Sequence, residues 1–160
     1  SLCERAGPGA EVSGDITAIF SVLVAGSDME EPIADMMRGV LDGHVVLDRS
    51  IAERGRYPAI DVVRSVSRSL PEAASETENE LISIARRLLG SYDESALMIR
   101  AGLYSTGSDP LLDIAVKAYP ELDRFVATQE RLGASNSFKR LELILRKAGA
   151  LEPSGAIPLA

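Results

Sequence analysis

The sequence predicts an α/β segment followed by an all-helical one. Three observations carry that prediction. Two apolar runs rich in β-branched residues, Ile16 to Val24 and His44 to Leu47, read as buried strands. From Ser75 onward the apolar residues recur every three or four positions, which is the period of helices. Between the two regimes, Pro71 and the following Glu-Ala-Ala-Ser stretch mark a boundary. The expected organisation is an α/β part over 1–71, a helical domain over 72–150 and an irregular tail over 151–160.

The elements follow in order. Residues 1–14 contain Gly7-Pro8-Gly9 and read as an irregular lead-in. After the first strand, Gly26-Ser27-Asp28 is a turn. Pro32 follows two acids and suits a first helical position, so a helix is expected to carry Ile33, Met36, Met37 and Val40 inward and to stop at Gly43. Pro58 biases Tyr57 toward an extended conformation. Asp61 is expected to cap a short helix with Val62, Val63, Val66 and Leu70. Leu81, Ala85, Leu88, Tyr92, Ala96, Ile99 and Leu103 keep one helical register through Gly90, so one long helix is expected there, although Gly costs roughly 1 kcal/mol against Ala. Asp109-Pro110 is a cap followed by a first-turn proline. Pro120 is expected to open a separate stretch, and a last helix runs from about Ser137 with Leu141, Ile144, Leu145 and Ala148.

Composition excludes several classes. The net charge of −7 argues against a nucleic-acid partner. Cys3 and His44 are single representatives of their types, too few for a disulfide framework or a Cys/His zinc site. A reducing, cytoplasmic setting is the simplest reading. Neither a membrane-spanning run nor a signal peptide is visible. The chain opens on Ser1 and is read as a piece of something longer.

The motifs lie between Gly14 and Arg68. They are Gly14-Asp15-Ile16-Thr17-Ala18-Ile19-Phe20, Glu31-Pro32-Ile33-Ala34-Asp35, Leu41 to Arg49, Ala52-Glu53-Arg54-Gly55-Arg56-Tyr57-Pro58-Ala59-Ile60-Asp61 and Ser65-Val66-Ser67-Arg68. Their order and spacing resemble the second half of the ATPase core in flagellar and type III secretion export ATPases, relatives of the rotary ATP synthase β subunits. The match thins toward Val126. The phrase from Leu41 to Arg49 fits the flagellar and secretion branch better than the synthase branch, and the flagellar branch is preferred. Where many relatives carry Ser, this chain has Asp15. No phosphate loop of the form G-x-x-x-x-G-K-[ST] occurs in the sequence.

The resemblance implies a RecA-like core followed by a helical domain, assembled as a homo-hexamer. It implies ATP and Mg²⁺, both held mainly by residues upstream of Ser1. It also implies a cytoplasmic ring peripheral to the inner membrane, with a central coiled-coil stalk, export chaperones, secreted substrates and a membrane export gate as partners. The isolated piece is expected to be inactive and, with strand edges unpaired, to associate.

Site residues follow residue by residue. Arg68 matches the family's arginine finger, which reaches into the adjacent subunit's nucleotide. A guanidinium suits that task because its charge is permanent and its fork fits phosphate oxygens. Taken alone, Arg68 reads as a solvated surface residue. Arg64 is the neighbouring decoy. Tyr57 matches the ring that stacks on adenine; the alternative is a tyrosine packed under its own turn. Asp28, Met29, Glu30 and Glu31 match the loop that faces the stalk; the alternative is a solvated turn whose acids favour the next helix. His44 is read as structural, Asp42 as closing a helix and Asp48 as closing a strand. Glu53 and Arg54 read as surface ion-pair material. Lys139, Arg140, Arg146 and Lys147 flank the last apolar stripe, which either meets a partner or docks on its own domain.

The leading expectation is thus the C-terminal part of an export ATPase. Its rivals are a non-catalytic ring subunit and a helical module that binds chaperone–substrate complexes.

Overall fold

A computed structural model describes residues 3–10, 14–24 and 32–151. The chain divides into two compact units, Ser1–His44 and Val45–Ala160.

In the first unit a short 3-10 turn spans Cys3–Arg5. Gly7 and Ile16 exchange two backbone hydrogen bonds at 2.9 Å. The strand expected over Ile16 to Val24 is not formed: Ile19 and Leu23 are 93% and 96% exposed. A buried strand needs neighbours along both edges, and among the described residues only the isolated Gly7–Ile16 bridge pairs with this segment. Helix α1, Pro32–Val40, starts at the expected proline. Ala34 is buried and Met37 half-buried, while Met36 and Val40 are exposed, which corrects the expected face at those two positions.

The second unit carries the ordered architecture. Strand β1, Gly43–Leu47, pairs with β2, Ile60–Ser67, in a two-stranded sheet. Val46 is buried while Val45 and Leu47 are exposed, so β1 hides one face and not two. Between the strands lies α2, Arg49–Glu53. Asp48 caps it, accepting from the Ser50 backbone N–H at 2.8 Å. Asp48 therefore opens a helix as well as closing a strand.

The expected short helix after Asp61 is strand β2 instead. The capping bond is nevertheless present, since the Asp61 carboxylate accepts from the Arg64 backbone N–H at 2.9 Å. Val62, Val63 and Val66 are β-branched, and no helix propagates from that single turn.

The helical part packs three helices. Helix α3, Glu76–Arg100, begins in a capping box between Ser75 and Glu78 and runs through Gly90 unbroken. Helix α4, Pro110–Ala127, is capped by Asp109, which accepts from Leu111 and Leu112. It also runs through Pro120, correcting the expected break. Pro120 is exposed, and Ala118 and Leu122 on either side are buried at 1% and 2%; core packing on both sides holds the helix together across the missing N–H. Helix α5, Ala134–Ala148, starts three residues before the expected point and ends on Gly149, whose φ of 83° is the left-handed conformation that favours glycine.

Leu81, Ile84, Ala85 and Leu88 of α3 meet Leu112, Ala115, Ala118 and Leu122 of α4. Leu141, Leu145 and Ala148 of α5 close the core. Each set keeps the helical spacing of three and four. Tyr92 and Tyr119 stack at 3.6 Å between α3 and α4. The apolar stripe of α5 thus docks on its own domain. Of its basic flank, Arg140 pairs with Glu130 and Arg146 with Glu142.

Candidate functional site

Two of the residues read from the sequence as site residues, Tyr57 and Arg68, stand at opposite ends of β2. Tyr57 lies on the turn between α2 and β2, before a cis Pro58, and is 65% exposed. Arg68 follows the last residue of the strand and is exposed. An eight-residue strand at about 3.3 Å per residue puts roughly 23 Å between its ends. Asp28, Met29, Glu30 and Glu31 lie outside the described residues.

The Tyr57 turn is held from the helical part. The Arg56 guanidinium donates from Nη1 to the Pro58 carbonyl at 2.9 Å and from Nε to Asp123 Oδ1 of α4 at 3.2 Å. Arg54 donates to the Tyr119 hydroxyl at 2.7 Å and to Asp123 Oδ1 at 3.1 Å. Arg54 is ion-pair material as read from the sequence, and its partner makes it a bridge to α4. Glu53 pairs with Arg49. Because Arg56 fastens the backbone, the exposed Tyr57 ring is free to present a face.

A cleft of about 230 Å³ lies between α2, β2, α3 and α4, lined by Asp48, Arg54, Asp61, Asp93 and Tyr119 among others. Burial and the neighbouring Asp61 push the Asp93 carboxyl up. Burial also raises the Tyr119 phenol. On the opposite wall, hydrogen bonds from Ser50 hold Asp48 below the usual carboxylate value. Arg64, the expected decoy, lies on β2, where it pairs with both Asp61 and Asp48. That pairing, led by the Asp61 hydrogen bond, raises its own pKa.

Strand β2 is also held from α3. Arg86 reaches three carbonyls of β2, those of Val62, Val63 and Ser65. Sequence reasoning missed Arg86, Tyr119 and Asp123. No local spacing marks them, because each acts on a segment far away in the chain.

Tyr57 offers an exposed ring on a fastened turn. No group of three or more His, Cys, Asp or Glu residues that could hold a metal ion occurs among the described residues. No helix among them is long and apolar enough to cross a membrane.

Two family models match successive parts of the chain. Residues 1–67 match the ATP synthase alpha/beta family, nucleotide-binding domain. Residues 74–146 match the T3SS EscN ATPase C-terminal domain. A flagellum-specific ATP synthase of Caulobacter vibrioides is 42% identical over 152 residues, 91% of this chain. The chain belongs to the flagellar and type III secretion export ATPase family. The SPI-2 type 3 secretion system ATPase of Salmonella typhimurium is 44% identical over 146 residues, 90% of the chain. Among solved structures, the assembled ATPase EscN of enteropathogenic E. coli superposes with a TM-score of 0.81 at 33% identity, covering 90% of this chain and 35% of that one. EscN in complex with its central stalk EscO gives 0.77 at the same identity, covering 90% of this chain and 34% of that one. The chain spans about a third of its curated relatives, 34% and 33% of the two named above. In this export ATPase segment the fold is the late part of a RecA-like core followed by a helical domain.

Proposed function

We propose that this chain is the C-terminal part of an ATP hydrolase that powers flagellar or type III protein export. The whole protein would bind ATP and Mg²⁺ and work as a homo-hexamer around a coiled-coil stalk. Its setting would be cytoplasmic, peripheral to the inner membrane, where chaperones deliver substrates to the export gate. The core would end near residue 71 and the helical domain begin near 72; the extents of the two family matches, 1–67 and 74–146, support that boundary.

One observation carries the reading: Tyr57 and Arg68 stand at opposite ends of β2. In a ring, Tyr57 serves the adenine of its own subunit and Arg68 the transferred phosphoryl of the neighbour. The base needs a flat apolar face, which an exposed tyrosine ring supplies. The phosphoryl group needs positive charge on its equatorial oxygens, which a guanidinium supplies. The loop Asp28, Met29, Glu30 and Glu31 would face the stalk.

The test is Arg68→Ala in the full-length protein. Turnover is expected to fall about 10³-fold, the usual effect of losing a finger. Survival of more than about a tenth of wild-type turnover sinks the assignment.

A further inference from the structure

We propose that Arg86 is the positioning residue of the Arg68 finger, an inference that rests on the finger reading above. Arg86 sits on α3 among the core residues Ile84, Ala85 and Leu88, on a helix the core holds fixed. From there its guanidinium reaches β2. Nη1 donates to the Val62 carbonyl at 3.0 Å and to the Ser65 carbonyl at 2.9 Å, and Nη2 donates to the Val63 carbonyl at 2.8 Å. Among the described residues Arg86 makes no ion pair, so its donors go to backbone.

The grip falls close to the finger. The Ser65 carbonyl lies three residues before Arg68, roughly 10 Å of extended chain. Ser65 is also held by its side chain, which accepts the Val46 N–H at 3.0 Å and donates to the Asp61 carbonyl. The segment that leads to Arg68 is thus clamped from β1 and from α3 together. A group that acts on a neighbour's phosphoryl must arrive in register, and a misplacement of about 1 Å costs on the order of 10²-fold in rate. The planar fork of an arginine spans several acceptors at once, which a lysine ammonium does not. Arg86 therefore couples the helical domain to the chemistry of the adjacent subunit without touching the nucleotide.

The experiment uses the full-length protein with Arg86→Lys and Arg86→Gln, beside Arg68→Ala and a variant with its phosphate-loop lysine changed to Ala. Each Arg86 variant is expected to lose about tenfold or more in kcat, with KM for ATP within about twofold. Mixed with the phosphate-loop variant, each is expected to regain activity above either alone, because an intact finger then meets an intact loop. Near-wild-type kcat in both Arg86 variants, with Arg68→Ala inactive, overturns the positioning role alone. Active Arg68→Ala overturns the finger reading and this inference with it. Loss without recovery on mixing marks Arg86 as merely structural and overturns the proposal. Hydrogen exchange decides the case of a poorly folded variant. Faster exchange confined to residues 66–68, with 81–88 unchanged, supports positioning; faster exchange throughout overturns it.

Discussion

Arg56 and Asp123, 67 residues apart in sequence, meet at 3.2 Å. The same Asp123 oxygen also accepts from Arg54 at 3.1 Å. One carboxylate on α4 thus fastens both arginines of the turn that carries Tyr57. Arg56 is the more buried of the two, with its side chain 10% exposed.

That burial makes Asp123 the costly member to remove. Asp123→Ala leaves the Arg56 guanidinium without its carboxylate in a half-dry site. The fold is expected to lose about 1–3 kcal/mol, read from urea denaturation. A double-mutant cycle with Arg56→Ala should show a coupling of at least about 0.5 kcal/mol. Additive effects would show that the 3.2 Å contact contributes nothing.

The same turn gives a test of the proposed adenine contact. In the full-length protein Tyr57→Ala is expected to weaken ATP binding about 3- to 10-fold, the worth of one aromatic stack, with kcat changed less. Tyr57→Phe keeps the ring face and should bind as wild type. Equal losses in both variants would place the contribution in the hydroxyl and refute stacking.

The helical core has two fully enclosed leucines, Leu88 and Leu145. Replacing either by Ala opens a cavity that three packed helices cannot fill. Each change should cost about 2–5 kcal/mol by chemical denaturation. Leu143→Ala, on the exposed face of the same helix as Leu145, should stay within about 0.5 kcal/mol.

Asp93 gives a pH-dependent prediction. Its folded pKa lies above the ordinary 3.8, chiefly through burial and then through Asp61. A raised carboxyl destabilises the fold when charged, so the cost is present above the folded pKa. It declines as pH falls and is gone below the unfolded value of 3.8. Asp93→Asn should therefore raise Tm at pH 7, and the gain should vanish below about pH 3.8. A gain that persists at pH 3 would mean that Asn stabilises for another reason.

Glu78 runs the other way. Its hydrogen bonds from the Ser75 backbone and hydroxyl hold its pKa below the ordinary 4.5. A depressed carboxyl stabilises above the unfolded value, and that share is lost as pH falls from 4.5 through the folded pKa. Ser75→Ala removes the hydroxyl half of the capping box and should cost about 1 kcal/mol at pH 7, measured by thermal unfolding. An unchanged Tm at pH 7 would show that α3 does not depend on its cap.

Local chemistry is what made the helical half legible. Asp109-Pro110 starts a helix because a carboxylate can accept two orphan N–H groups and proline needs none of its own. Leu81, Leu88 and Leu145 were legible as core because their spacing repeats with the turn of the helix. The strand at His44 to Leu47 and the motif around Tyr57 and Arg68 were legible too. Where local signals were absent or misleading, the reading failed. Asp61 offered a cap and made the capping bond, yet β2 formed, because three β-branched residues beyond it favour an extended chain. Pro120 signalled a break that packing at Ala118 and Leu122 overrode.

By itself, then, the sequence determined the class of fold and the family and put forward Tyr57 and Arg68 as candidates, since these readings depend on order and spacing along the chain. Only the tertiary structure decided how those residues are held. Arg86 reaches β2 from α3, and Asp123 reaches the Tyr57 turn from α4. Such contacts form between segments tens of residues apart, so they depend on how helices dock and leave no period or spacing to read.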